Sequence, residues 1–145
     1  METIVKRITE FDKDLVAQLF QRLGEKDINP NPSFFRDIDT ILLVSYTDGV
    51  PSGFLYAYAL PGLETPYPKM FLYSIDVFDG FCRKGIGSKL IGDLRNLANS
   101  AGCNELFVLT NRSNEAAMDF YGKTGGKIEN GDDVLFVYGR EALKA

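Results

Sequence analysis

Lys69 to Ala101, KMFLYSIDVFDGFCRKGIGSKLIGDLRNLANSA, is the stretch around which the chain is organised. Lys69 to Val77 is rich in aromatic and β-branched residues, the composition of a strand. Asp79-Gly80 signals a turn. Beyond it, apolar residues recur at Ile86, Leu90, Ile91, Leu94, Leu97, Ala98 and Ala101, one face of a helix, and Gly102 supplies the stop. The helix opens at Arg83-Lys84-Gly85-Ile86-Gly87. Its first N–H groups have no intrahelical partner and sit at the positive end of the helix dipole, so an anion is their natural guest. Glycine pairs before a helix also occur in ordinary loops, so the rest of the chain must decide between the two readings.

With 145 residues the chain is expected to form one domain, 1–145. A hydrophobic fraction of 45% is enough for a sizeable core. The net charge of −4 and a pI near 4.8 argue against nucleic acid as the main partner and suit a cationic substrate such as an amine. No charged N-terminal region leads into an apolar run, and no run is long enough to span a bilayer, so a cytoplasmic protein without a membrane partner is expected. Histidine is absent, which excludes Ser-His-Asp and Cys-His nucleophilic machinery and histidine-based metal sites. Cys82 and Cys103 lack zinc spacing, so no metal is expected. Catalysis is left to Asp, Glu, Tyr, Ser or backbone groups.

Upstream, Glu2 to Ile8 reads as a strand, and Thr9-Glu10-Phe11-Asp12 has the spacing of a capping box. Leu15, Val16, Leu19, Phe20 and Leu23 then repeat at helical spacing, closed by Gly24. Ser33 to Ile38 reads as a short helix anchored by Phe34 and Phe35. Thr40 to Tyr46 and Gly53 to Leu60 form an antiparallel hairpin about Asp48-Gly49. Downstream, Asn104 to Thr110 is a strand, and Asn114 caps a helix through Lys123 with Ala116, Ala117, Phe120 and Tyr121 on one stripe. Lys127 to Glu129 and Val134 to Tyr138 read as a final hairpin, and Gly139 to Ala145 as a frayed tail. The fold class is α/β: a mixed, mostly antiparallel sheet with helices on both faces. The strands flanking the Ile86 to Ala101 helix are expected to be parallel.

The glycine loop is neither GxxxxGK[ST] nor a dinucleotide GxGxxG. It is a basic-flanked helix start with Ser88 and Lys89 in the first turn. A lysine there opposes the dipole, a conflict that a bound anion would offset.

Val77 to Leu90, VFDGFCRKGIGSKL, resembles the acyl-CoA-binding motif of the Gcn5-related N-acetyltransferases. That family's consensus is Gln/Arg-x-x-Gly-x-Gly/Ala, matched by Cys82-Arg83-Lys84-Gly85-Ile86-Gly87 with Cys82 at the departing first position. Asn114 to Tyr121, NEAAMDFY, resembles the Asn-x-x-Ala-x-x-x-Tyr of the family's later helix. The order of elements agrees over nearly the whole chain. Ala57-Tyr58-Ala59-Leu60-Pro61, Glu64, Pro66, Phe71-Leu72-Tyr73 and Val77 further resemble the small aminoglycoside 3-N-acetyltransferases. Those enzymes carry an aspartate directly after the strand tyrosine. Here Ser74 stands in that place and a carboxylate follows at Asp76; with period-two alternation the two share a face unless a bulge intervenes. The aspartate of their last strand has no counterpart, Val137 standing near that place.

The resemblance implies acetyl transfer from acetyl-CoA, as cosubstrate, to a primary amine of a small molecule, aminoglycoside-like acceptors included. It assigns the pyrophosphate to the amides of Gly85, Gly87 and Ser88, helped by Arg83 and Ile86, with Lys84 beside them and Asn114 on the later helix. Val77 N–H is the expected oxyanion donor, a role worth roughly 3 kcal/mol. Tyr121 is the expected acid for the departing thiolate. Asp76 is the first candidate for the amine's base and Glu64 the second. Acetylation of a protein N-terminus or lysine, and a non-catalytic acyl-CoA-binding module, remain as alternatives. The partners expected are the amine and, in an assembly the sequence leaves open, a second copy in a homodimer.

Overall fold

The computed structural model describes residues 1–144. Its sheet has five strands in the order β1 (Thr3–Arg7), β2 (Thr40–Thr47), β3 (Val50–Leu60), β4 (Lys69–Val77) and β5 (Glu105–Val108). Three neighbouring pairs are antiparallel and β4–β5 is parallel, so the sheet is mixed and mostly antiparallel, as the sequence suggests. The β2–β3 hairpin turns on Asp48 and Gly49, both left-handed at φ 49° and 87°. That pair of positive φ values is what a two-residue hairpin turn demands.

Helix α1 (Lys13–Gln21) is capped by Asp12, whose carboxylate accepts from Leu15 N at 3.0 Å. The capping box read at Thr9 therefore starts three residues too early: its last residue is itself the cap. Between α1 and β2, Pro32–Arg36 forms a 3-10 turn in place of the predicted short helix. Helix α2 (Ile86–Ser100) ends in a full Schellman motif. Cys103 N bonds Ala98 O at 2.9 Å and Gly102 N bonds Asn99 O at 3.1 Å, with Gly102 at φ 77°.

Alternation along the strands divides the core into two layers. Leu42, Val44 and Phe54 face Leu19 of α1 and Phe78. Leu43, one residue out of phase, shares a groove with Asp93, Asn96 and Leu97 of α2. Helices therefore cover both faces. Ile86, Leu90, Ile91, Leu94 and Ala98 are the buried stripe of α2, the spacing read from the sequence.

By its internal contacts the chain gathers into two compact units, Met1–Thr110 and the residues from Asn111 onward. The sheet belongs to the first. The second holds α3 (Glu115–Lys123) and α4 (Arg140–Leu143). The predicted final hairpin is not formed: residues 127–139 carry no strand. The predicted tail instead closes with the single turn of α4. Among the described residues, no helix is long and apolar enough to cross a membrane.

Candidate active site

The site is shaped by a bulge at one residue of β4. Tyr56 of β3 pairs with Ser74, and the next residue, Ala57, pairs with Leu72. Tyr73 is the extra residue between them. Phe71, paired with Tyr58, and Tyr73 two residues on share one face by plain alternation, and the extra residue brings Ser74, paired with Tyr56, onto that face as well. Tyr73 accordingly lies 5.2 Å from the Tyr56 ring, 6.0 Å from Tyr58 and 5.7 Å from Phe71, centroid to centroid. Phe34 of the 3-10 turn adds edge contacts to Tyr56 and Tyr58, and Phe107 of β5 stacks on Phe71 at 4.8 Å. Phe34 and Phe35 pack against the core cluster, the anchoring role read for them.

The bulge falls before Ser74, so Ser74 and Asp76 keep a common face. Ser74 Oγ donates to Asp76 Oδ2 at 3.2 Å. Burial pushes the Asp76 carboxyl above its usual range, the Ser74 bond pulls it back, and the negative charge of Glu25 pushes it up again. The Tyr56 phenol is pushed up to about 12, by burial first and then by Tyr73, Tyr58, Glu25 and Asp76. A half-buried carboxylate with a second acid nearby, walled by phenol and phenyl rings, is a place for an ammonium group.

Glu25 is the residue that sequence reading missed. Gly24, left-handed at φ 84°, ends α1 and turns the chain so that Glu25 N bonds Phe20 O at 3.2 Å. Phe20 itself packs edge-on to Tyr56 at 6.1 Å. Glu64, the second carboxylate expected, lies exposed on the β3–β4 connector, before Lys69. Asp76 is near the other end of β4, about 23 Å along at strand rise. The structure does not bring Glu64 and Asp76 together.

The same bulge coincides with the parting of β4 from β5. Their parallel ladder runs from Lys69↔Glu105 to Leu72↔Val108 and stops. Among the described residues, Tyr73 to Val77 have no strand partner on that side. On the other side Val77 pairs with Gly53.

Past Val77 the chain turns through Gly80 (φ 91°) into the glycine loop. Arg83 and Gly85 are both left-handed, at φ 62° and 77°. Gly85 is the N-cap of α2 and makes no side-chain cap. The first helical bond is Lys89 N to Gly85 O at 3.1 Å, so the N–H groups of Ile86, Gly87 and Ser88 have no partner within the helix. Alternating left-handed residues before an uncapped helix form an anion-binding concavity. Arg83, Lys84, Gly85 and Ser88 are exposed, and the Ile86 side chain is core, leaving only its backbone for binding. Cys82, at the motif's departing position, turns its thiol toward the Val77 and Phe78 carbonyls, each 3.7 Å away, tying the loop to the end of β4. The two lysines lean toward the N-terminus: Lys84 Nζ is 3.8 Å from Met1 Sδ, and Lys89 Nζ donates to the Thr3 carbonyl. The Lys89 charge at the helix start is thus held by a carbonyl of β1.

In the second unit, Asn114 Oδ1 accepts from Ala117 N at 3.1 Å and caps α3, as its position suggested. Tyr121 is half-buried on α3, its ring 5.4 Å from that of Phe120. Its carbonyl accepts from Gly126 N at 2.8 Å, behind Gly125 at φ 105°.

Among known proteins, the sequence pattern of the acetyltransferase (GNAT) family matches residues 8–126. An aminoglycoside acetyltransferase, meta-AAC0020, from an uncultured soil metagenomic sample, solved in complex with trehalose, aligns at TM-score 0.84 and 24% identity over 94% of this chain and 95% of that one. The aminoglycoside N-acetyltransferase AAC(6')-Iy in complex with CoA aligns at TM-score 0.75 and 19% identity, over 94% and 99%. A ribosomal-protein-alanine N-acetyltransferase from Brucella melitensis biovar Abortus 2308 aligns at TM-score 0.75 and 19% identity, over 94% and 100%. These structures share the fold. No curated protein matches the chain.

Proposed function

As the chain belongs to the acetyltransferase (GNAT) family, we propose that it transfers the acetyl group of acetyl-CoA to a primary amine of a cationic small molecule, by direct attack on the thioester. The observation that carries this reading is β4 beyond Leu72: its edge is free of β5, it presents Asp76, and it leads into the uncapped start of α2. Orphaned helix N–H groups behind left-handed Gly85 fit a pyrophosphate, and an open strand edge fits an extended amide-bearing arm.

Acetyl-CoA supplies the activated acyl carbon. Ile86, Gly87 and Ser88 hold the diphosphate through their backbone, with Arg83 and Lys84 as charged flanks. Asp76 and Glu25 attract the ammonium, and the tyrosine walls take up its alkyl part. Asp76 receives the proton that makes the amine nucleophilic, directly or through water. The amine nitrogen bonds to the acyl carbon, Val77 N–H stabilises the oxyanion, the carbon–sulfur bond breaks, and Tyr121 protonates the departing sulfur. Aminoglycoside-like amines are the first acceptors to try, since two of the similar structures are described as aminoglycoside acetyltransferases and the site offers two carboxylates to a polycation.

Calorimetric titration with acetyl-CoA tests the reading at its root. Saturable binding with a raised melting temperature supports it. Absence of binding overturns it, and binding without transfer to any amine identifies an acyl-CoA-binding module instead.

A further inference from the structure

Among the described residues, the buried polar ones are Ser45, Thr47 and Ser52, and their hydroxyls bond to one another. Period two puts Ser45 and Thr47 on the face of β2 that carries Leu43, and Thr3 of β1 pairs with Thr47. Between β2 and β3 the register slips. Ser45 pairs with Gly53 and Tyr46 with Pro51, so Ser52 is the extra residue of a bulge, and its hydroxyl joins the others. Ser52 Oγ is 2.9 Å from both Ser45 Oγ and Thr47 Oγ1, and Thr47 Oγ1 is 2.8 Å from Thr3 Oγ1. Ser45 Oγ is 3.1 Å from the Gly53 carbonyl oxygen.

That carbonyl fixes the direction of the chain. It can only accept, so Ser45 donates to it. With one proton per hydroxyl, Ser52 must then donate to Ser45, Thr47 to Ser52 and Thr3 to Thr47. The chain runs one way, from the edge strand β1 to the Gly53 peptide, and it continues through the ladder. Phe78 N donates to Ser52 O at 2.9 Å, which makes Ser52–Phe78 a hydrogen-bonded pair. By antiparallel alternation Gly53–Val77 is then a non-hydrogen-bonded pair and Phe54–Asp76 a hydrogen-bonded one. The Phe54 N–H, on the same peptide unit as the Gly53 oxygen, donates to the Asp76 carbonyl. The Val77 N–H, on the same peptide unit as the Asp76 oxygen, points away from β3, to the side that β5 has left.

We propose that this hydroxyl chain polarises the Val77 N–H. Thr3, Thr47, Ser52 and Ser45 are positioning residues that act on the thioester oxygen through the Gly53–Phe54 and Asp76–Val77 peptide units. The proposal rests on the acetyl-transfer reading above, in which Val77 N–H is the oxyanion donor. A peptide whose carbonyl accepts a hydrogen bond becomes a stronger donor at its N–H, and bonds aligned head to tail reinforce one another where water is excluded. Here every link between Thr47 and the Phe54 side of β3 is buried, so water does not compete for the protons. The hydroxyls also set the bulge that brings Gly53 against the Asp76 carbonyl, since a Cβ on Gly53 would stand 2.7 Å from that oxygen.

The test is infrared difference spectroscopy of acetyl-CoA, isotope-labelled at the acetyl carbonyl, bound to the full chain without an amine. The thioester carbonyl stretch is expected below its free value in the wild type, and to move back toward it in Ser45→Ala and Ser52→Ala. Thr3→Val keeps its shape at the half-buried outer end of the chain, so it reports even where a buried serine variant does not fold; it is expected to move the stretch in the same direction by less. With an amine present, kcat of Ser45→Ala is expected to fall about 2–5-fold, the share of one oxyanion donor that a weakening of about 10–30% removes, with KM for acetyl-CoA unchanged. The parent stretch and parent kcat in all folded variants overturn the relay and leave acetyl transfer standing. A lowered melting temperature with an unmoved stretch also overturns it, since the hydroxyls then serve packing alone. A wild-type chain that binds no acetyl-CoA overturns the acetyl-transfer reading itself, and the relay with it.

Discussion

Ser74 Oγ donates to Asp76 Oδ2 at 3.2 Å along one face of β4. The serine stands where the sequence resemblance would put an aspartate, and the carboxylate lies two residues on, on the same face. The bulge at Tyr73, one residue earlier, makes this geometry useful. It brings Ser74 and Asp76 onto the face of Tyr56, Tyr58 and Tyr73 and marks where β4 leaves β5. The acid and its hydroxyl donor therefore meet the aromatic walls through one irregularity in the sheet.

Asp76→Asn separates function from stability. The native carboxyl is raised above its unfolded value, chiefly by burial. The native state therefore binds its proton more tightly than the unfolded chain does. Stability from this group is present at low pH and is lost as pH rises through the raised native value. At pH 7 the substitution removes a poorly solvated charge, and the midpoint is expected to rise by about 2 °C. That gain should vanish below the carboxylate range. Activity should fall about 10²-fold if the carboxylate takes the amine proton. Thermal melts across pH, beside initial rates, check both.

Gly85→Ala probes the helix start. An added Cβ would meet nothing within 4 Å, so the cost is in backbone conformation at φ 77° and not in packing. A destabilisation of about 1 kcal/mol is expected. The larger effect should be on the acetyl-CoA-induced shift in melting temperature, which needs the loop's amides held in place.

Gly53→Ala acts from the opposite side of the sheet. A Cβ there would come 2.7 Å from the Asp76 carbonyl oxygen and 3.3 Å from Val77 Cα. Those are backbone atoms, so β4 must shift by some tenths of an ångström at the two residues that matter most. A loss of roughly 1–3 kcal/mol in stability is expected, with kcat/KM falling further than the stability loss explains. Unchanged kinetics would detach Asp76 and Val77 from the reaction.

Tyr121→Phe keeps the ring on α3 and removes the proton. Turnover should drop about 10²–10⁴-fold, while acetyl-CoA affinity by calorimetry stays at the parent value. A loss of affinity with turnover intact would reassign Tyr121 to binding.

The parts of the molecule legible in the sequence are those set by local chemistry. Asp48-Gly49 demands its hairpin, the Ile86 to Ala98 spacing demands its helix, and Gly102 demands its stop. The loop at Arg83 to Gly87 was legible because glycine and basic residues precede a periodic stripe. The bulge at Tyr73 was not legible, because no glycine or proline beside it disfavours a regular ladder. Glu25 escaped for a related reason: its charge acts on Asp76 from the turn at Gly24, far away in sequence. Val134 to Tyr138 has every local mark of a strand. It forms none, and composition does not say where the partner edge that a strand needs would be.

The most direct test is release of free CoA from acetyl-CoA over a panel of primary amines, with mass spectrometry on the amine. Cationic small amines should release CoA in step with the appearance of one acetyl group per amine, and Asp76→Asn and Tyr121→Phe should suppress both. Acetyl-CoA binding with CoA release no faster than spontaneous hydrolysis, for every amine tried, would contradict it.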